Sequence, residues 1–172
     1  MDIIFVKQNT ISFQQLYSQY ADEVYRFSFW LTGDPDEAKD ITSETFVRVW
    51  TAKSEPRIET VKAYLFAIAR NLWLHDNRRK KKLVSFDEET CGTIAPPHKL
   101  VEAQLDLDAA VKVLQSLPEI DRTVFIMRVE DELSYEDIAS TTGLSISNVK
   151  VKVFRARAKI QSYIKVPQGE KP

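Results

Sequence analysis

A single cysteine, two histidines and four glycines in 172 residues leave several kinds of chemistry without material. Cys91 has no second cysteine for an internal disulfide, and with only His75 and His98 beside it there is no Cys/His cluster to hold zinc. So few glycines also give no phosphate-cradling loop. No uncharged apolar run approaches the roughly 18 residues of a membrane span, and the opening MDIIFVKQNT lacks the basic-then-apolar order of a secretory signal. The expectation is a cytoplasmic chain with no membrane insertion, no cofactor and no metal, and not an enzyme.

What is present is enough apolar material, 44%, for folded cores, and a length that suits one ordinary domain or two small ones. The net charge of -1 hides strong segregation. Residues 57 to 83 carry eight Lys or Arg against two Asp or Glu, and residues 145 to 172 carry seven against one. The stretches 1 to 56, 84 to 108 and 109 to 144 are each net acidic, at -4, -5 and -4. Because charges separated by more than about 8 Å are mostly screened at physiological salt, each basic stretch can attract phosphate despite its acidic neighbours. Two anion-facing surfaces follow.

From Ser12, with Gln15 completing a capping box, apolar residues recur at Phe13, Leu16, Tyr17, Tyr20, Val24, Phe27 and Leu31, the spacing of a helix. Gly33 suits its C-cap. Asp34-Pro35-Asp36-Glu37 then opens a second helix with an N-cap, a proline in the first turn and acids on the positive end of the dipole. A third, from about Thr60 to Arg79, places Val61, Leu65, Ile68 and Leu72 inward and ends in NRRKKK. Residues 84 to 100, with acids, a glycine and a proline pair, have no helical period and divide the chain as a linker. Beyond it helices are expected over 101 to 115 and 119 to 129, with a short one after Ser134 ending near Thr141. No β-rich segment stands out. The fold class is therefore all-α, two small helical domains at 1 to 83 and 101 to 172.

The stretch SISNVKVKVFRARAKI allows two readings, a strand from the alternation of Val149 to Val153, or a helix with Ile146, Val149, Val153, Ala156 and Ile160 inward. A strand would lack a nearby partner and leave an unpaired edge. Valine disfavours a helix by only a few tenths of a kcal/mol each, less than burial of one aliphatic face returns. Ile138, the small Ala139, a turn at Gly143 and Leu144 precede it, so helix, glycine turn, helix is the result, the arrangement of a DNA-binding helix-turn-helix. Its outward positions are Ser147, Asn148, Lys150, Val151, Phe154 and Arg155. Asparagine can pair with adenine, Lys or Arg with guanine, and Val or Phe can touch a thymine methyl. Arg157 and Lys159, later in the helix, suit phosphates. In the other basic stretch, with Leu65, Ile68 and Leu72 inside, Phe66, Arg70, Trp73 and Asn77 fall outside, where rings beside cations suit stacking on unpaired bases. The plainer alternative is that Trp73 completes a core.

Several stretches together resemble the two-domain extracytoplasmic-function sigma factors of bacterial RNA polymerase. They are DPDEAKDITSETFVRVW at 34 to 50, YLFAIARN at 64 to 71, LP at 117 and 118, and the run from LSYEDIA through VFRARAKI. The resemblance covers about residues 12 to 164. It implies a sigma factor that binds core polymerase and directs promoter-specific initiation, with promoter DNA and an anti-sigma factor as further partners. By it the second helix would dock on the clamp helices of the largest polymerase subunit through Asp34, Glu37, Asp40, Glu44, Phe46 and Trp50, and the second domain would meet the flap. Phe46 and Trp50 could instead be core. Lys39 stands where the family usually has an acid. The first domain would capture the minus-10 element through the loop from Ser54 to Thr60, which contains Arg57, and through Asn71, with Arg70, Trp73, Arg78 and Arg79 as physical candidates for strand contacts. The second would read the minus-35 element, and Val151 is less polar than the family often shows. The linker would thread toward the active-site channel or serve as a passive spacer. A repressor or activator with an N-terminal effector domain is a rival reading. A nuclease is another, which the acids at 34 to 44 support poorly because they match a helix dipole better than a metal cage.

Overall fold

A computed structural model of the chain describes residues 3–6, 9–52, 60–84 and 101–164. Helix α1 spans Phe13–Thr32, α2 Pro35–Thr51, α3 Val61–Val84, α4 Val101–Gln115, α5 Glu119–Val129, α6 Tyr135–Thr142 and α7 Ile146–Ile164. Among the described residues no helix is long and apolar enough to cross a membrane. The sequence pattern does not anticipate the two short strands, β1 (Ile3–Val6) and β2 (Asn9–Ser12). They pair antiparallel with Ile3 opposite Ser12 and Val6 opposite Asn9. The Ile-Ile-Phe-Val of β1 and the Thr10 and Ile11 of β2 favour one ladder, but four residues each are too short to show a period.

The caps form as the sequence requires. Ser12 Oγ accepts from the Gln15 backbone while the Gln15 side chain returns to the Ser12 N–H. Gly33, at φ 76°, closes α1 in the left-handed region. Asp34 Oδ1 accepts from the backbone of Asp36 and Glu37 at 2.8 and 2.9 Å, holding the start of α2. Gly143, at φ 72°, makes the turn between α6 and α7, and Ser134 Oγ accepts from Asp137 N at 3.0 Å to open α6. The stretch that could have been a strand is helix α7, with Val149, Val153 and Ala156 buried. Ile146, expected inward, is instead exposed at the helix's first position, before the buried stripe begins.

Leu16, Val24, Phe27 and Leu31 of α1 meet Ile41, Phe46 and Val49 of α2 and Leu65, Phe66 and Leu72 of α3. The same cluster runs without a break into Val124, Ile126 and Met127 of α5, Ile138 of α6, and Val149 and Val153 of α7. Phe27 and Phe66 stack at 4.3 Å with their planes 9° apart. At about 1.5–3 kcal/mol for each large apolar side chain buried, this shared core is what holds the two halves together. Helix α3 is therefore packed on two sides, by α1 and α2 and by α6. Phe66 and Trp73, placed outside by a one-faced helical pattern, are buried at 0% and 7% exposure because α3 has a second covered face. Polar contacts cross the same boundary. Gln115 Nε2 donates to the Trp30 and Leu31 carbonyls, closing the end of α1 from α4, and Thr141 Oγ1 donates to the Ala63 carbonyl.

Candidate nucleic-acid and protein interfaces

Helix α7 presents one continuous exposed face. Ser147, Asn148, Lys150, Val151, Phe154, Arg155 and Arg157 are all exposed, and Phe154 is the most open large apolar side chain described, at 72%. The periodicity explains this, since Val149, Val153 and Ala156 fix the opposite stripe against α5 and α6. Ser145 caps the helix through Asn148 N. The two remaining lysines are occupied. Lys152 Nζ meets Asp121 Oδ1 of α5 at 2.7 Å, and Lys159, expected at phosphates, donates to the Ser116 carbonyl at 2.7 Å. Lys150 Nζ lies 5.3 Å from the Tyr135 ring, which also receives the Arg128 guanidinium at 4.7 Å. Tyr135 thus lends its ring to a candidate base-reading lysine, a contact across the turn that spacing does not reveal. The face offers hydrogen-bond donors, one amide and two apolar tips, the inventory needed to read base edges in a major groove.

The basic end of α3 divides in two. Asn71, Arg78 and Arg79 are exposed. Lys80 is drawn back to Glu37 Oε1 of α2 at 3.0 Å. Arg70 and Trp73 are not on the open surface. Arg70 Nε and Nη2 donate to the two oxygens of Glu119 in α5 at 3.0 and 3.3 Å, and the Arg122 guanidinium lies 5.2 Å from the Trp73 ring centre. Arg122 also donates to Gln115 Oε1. Burial lowers the Arg122 pKa, and the nearby Glu119 carboxylate opposes that shift. Arg57 lies outside the described residues, as does most of the Ser54 to Thr60 loop.

On α2, Asp34, Asp40 and Glu44 are exposed along one edge, with Glu37 partly covered by its Lys80 pair. Glu44 pairs with Arg48 at 3.1 Å. Phe46 belongs to the core at 2% exposure, which corrects its place in the surface set. It supports the surface from below, with Tyr17 edge-on at 4.8 Å and Phe13 at 6.3 Å. Trp50 is 48% exposed and packs against Phe13 at 4.6 Å. Val47 and Tyr17 are open beside it; Val47 was not singled out in sequence, and Tyr17 was named only as part of the apolar stripe of α1. The signal existed for Val47, since 40, 44 and 47 follow the i, i+4, i+7 spacing of one helix face. Together they form an apolar ridge bordered by carboxylates, suited to a protein partner with basic groups around an apolar seat.

Between the halves sits a charge cluster in which Asp131 is buried and Lys62 and Glu23 are partly covered. Lys62 of α3 reaches Glu23 of α1 at 3.2 Å and Asp131 of the α5–α6 turn at 3.5 Å. Both Asp131 oxygens lack a hydrogen-bond partner among the described residues, and burial pushes this carboxyl up to about 7, against the pull of Lys62. Its neighbour Glu132 adopts φ 56°, a conformation non-glycine residues seldom take. The turn is strapped by Arg128, which donates to the Leu133 carbonyl at 2.9 Å.

Both halves of the chain match regions of one protein family. Residues 16–83 match the family described as Sigma-70 region 2 and residues 107–160 match Sigma-70, region 4. The ECF RNA polymerase sigma factor EcfG of Rhodopseudomonas palustris is 30% identical over 148 residues, covering 84% of this chain and 80% of that protein. The ECF RNA polymerase sigma factor SigE of Mycolicibacterium smegmatis is 30% identical over 161 residues, 89% of this chain, which spans only 62% of that protein's length. Among solved structures, the sigma factor RpoE of Bartonella quintana, determined in complex with the anti-sigma factor NepR, superposes with a TM-score of 0.78 at 27% identity, covering 91% of this chain and 98% of that one.

Proposed function

The chain belongs to the extracytoplasmic-function sigma factors of the sigma-70 family, which act in transcription initiation, and on that premise we propose how it engages polymerase and promoter. Helix α7 enters the major groove of the minus-35 element. Asn148, Lys150 and Arg155 carry the hydrogen-bonded readout, Val151 and Phe154 the contacts to thymine methyls, and Ser147 and Arg157 flank them. The observation that supports this most is the undivided exposure of those seven residues on a helix fixed by a glycine turn.

The acidic edge of α2 with Trp50, Val47 and Tyr17 is the seat for the clamp helices of the polymerase core, and the second domain meets the flap. Asp40 and Glu44 steer a basic partner, while the rings are desolvated on docking. The end of α3 with Asn71, Arg78 and Arg79, together with Arg57 in the loop before it, takes the non-template strand of the minus-10 element. Arg70 and Trp73 join them once uncovered. Extruding a base costs a few kcal/mol, and stacking at about 1–3 kcal/mol per base offsets it, so DNA is melted by trapping its open form. An anti-sigma factor is a further partner of this chain, by likeness to the Bartonella sigma factor solved with one.

The test is association with purified core polymerase. Asp40→Ala with Glu44→Ala is expected to weaken it, and Trp50→Ala to weaken it further. Unchanged association by both variants would remove α2 from the docking face. Loss of a DNA-cleaving activity instead would turn the reading toward an enzyme.

A further inference from the structure

We propose that Tyr135, which lies outside α7, is a positioning residue for promoter specificity: its ring holds the Lys150 ammonium in place for the base edge that Lys150 reads. The proposal rests on the entry of α7 into the minus-35 groove set out above.

The contact follows from how α6 meets α7. Ile138 of α6 and Val149 of α7 are both fully buried in the shared core. Tyr135 stands one turn before Ile138 on the same face of α6, packed against that core while part of its surface stays open, and Lys150 directly follows Val149. The ring is thereby carried to the rim of the turn. There the Lys150 ammonium lies over it, 5.3 Å from its centre, inside the roughly 6 Å at which a ring face attracts a cation. Arg128 of α5 fixes the platform. Its guanidinium lies 4.7 Å from the same ring centre and is itself anchored to the Leu133 carbonyl at 2.9 Å. A lysine on an exposed helix face is thus tied, through one ring, to α5 and the core.

What holds a lysine decides whether it can still read DNA. Lys152 Nζ sits on the Asp121 carboxylate and Lys159 Nζ on the Ser116 carbonyl, partners that occupy a donor and, at Asp121, offset the charge. A neutral ring does neither. Lys150 keeps its charge and its N–H groups for the O6 and N7 acceptors of a guanine, while its four-carbon stem gives up part of its rotamer freedom before DNA arrives. Freedom surrendered in advance is not lost again on binding, so the ring raises affinity at the one base pair that Lys150 touches and at no other.

The experiment is run-off transcription by the chain with core polymerase on promoters randomised over the upstream element. It reads the ratio of preferred to other bases at the position that Lys150→Ala disturbs. Tyr135→Leu is expected to lower that ratio about two- to fivefold, the range of an exposed ring and cation, and to leave the other positions unchanged. Tyr135→Phe, which keeps the ring, is expected to restore it. In a Lys150→Ala background Tyr135→Leu is expected to add nothing. Phenylalanines carrying increasing numbers of ring fluorines at position 135 keep the shape while draining negative charge from the ring face, and the ratio is expected to fall stepwise with them. That series also serves if Tyr135→Leu fails to fold. A loss spread evenly over all positions would make Tyr135 a structural residue and overturn the proposal. So would a flat fluorine series, an undiminished effect of Tyr135→Leu in the Lys150→Ala background, or a Tyr135→Phe chain as impaired as Tyr135→Leu, which would point to the hydroxyl on a phosphate. Lys150→Ala that disturbs no position sinks the reading role of Lys150 and the proposal with it. A position-specific effect of Lys150→Ala without one from Tyr135→Leu sinks the positioning alone.

Discussion

Asp131→Asn should change how stability depends on pH, and the structure fixes both the sign and the scale. The side chain is 1% exposed, and the charged groups facing it are Lys62 from α3, Glu23 from α1 and the adjacent Glu130. Loss of hydration dominates and raises this carboxyl from 3.8 to about 7, while the ammonium of Lys62 pulls the other way and its proximity to Glu23 divides its effect. The folded state thus holds a proton that the unfolded chain gives up. A group raised in this way stabilises fully below its unfolded pKa, and the contribution is lost as pH climbs through the folded value. A rise of about 3 pH units at 1.36 kcal/mol each gives a ceiling of about 4 kcal/mol lost between about pH 4 and pH 8. Asparagine has nearly the same shape and cannot ionise, so the variant escapes that loss. Urea unfolding followed by circular dichroism should find the two proteins alike near about pH 4 and the variant more stable by about 2–4 kcal/mol near about pH 8. In thermal melts this is about 2–4 °C for each kcal/mol. Parallel stability curves across the range, or a wild-type chain that gains on the variant as pH rises, would refute the reasoning.

The two left-handed glycines separate strain from packing. Among the described residues a Cβ at Gly143 meets no atom within 4 Å, so Gly143→Ala should cost only the backbone penalty of about 1–2 kcal/mol. Gly33→Ala adds a Cβ 3.1 Å from Gln115 Nε2 and Val111 Cγ1, so it should cost more and expand the chain in small-angle scattering. Equal melting temperatures for the two variants would deny Gly33 its packing role. Lys150→Ala and Arg155→Ala should each lower transcription at particular upstream sequences by about 1–3 kcal/mol. Promoter libraries would expose a uniform loss, which would make the contact one to phosphate. Neutralising Arg78 to Lys82 should flatten the salt dependence of promoter binding by the polymerase complex, and an unchanged slope would take that stretch out of the DNA interface.

Much of the architecture was legible because it is local. Ser12 and Gln15, Asp34 before Pro35, Ser134 before Asp137, and the turn glycines are caps that act within three or four residues. The choice of helix over strand for α7 followed from the same short-range pattern, and its exposed face came with it. Contacts between distant residues were not legible. Arg70 and Glu119 are 49 residues apart and Ala63 and Thr141 are 78 apart, and periodicity carries no information about such partners. One buried stripe per helix is the assumption behind the pattern, and α3 breaks it because Phe27 of α1 and Glu119 and Arg122 of α5 cover the face that carries Phe66, Arg70 and Trp73. Trp73 and Phe66 therefore went to the core, and Arg70 to an ion pair, rather than to the surface. Lys159 fails for a related reason, since a lysine stem can fold back on a carbonyl that the sequence places far away.

Run-off transcription with purified core polymerase on a genomic promoter library tests the central claim most directly. The chain should confer discrete start sites that core enzyme alone does not use, sharing one upstream and one start-proximal sequence, and Lys150→Ala should redistribute them. A complex that forms with polymerase yet yields no selected start sites, or tight promoter binding by the chain alone, would contradict the account.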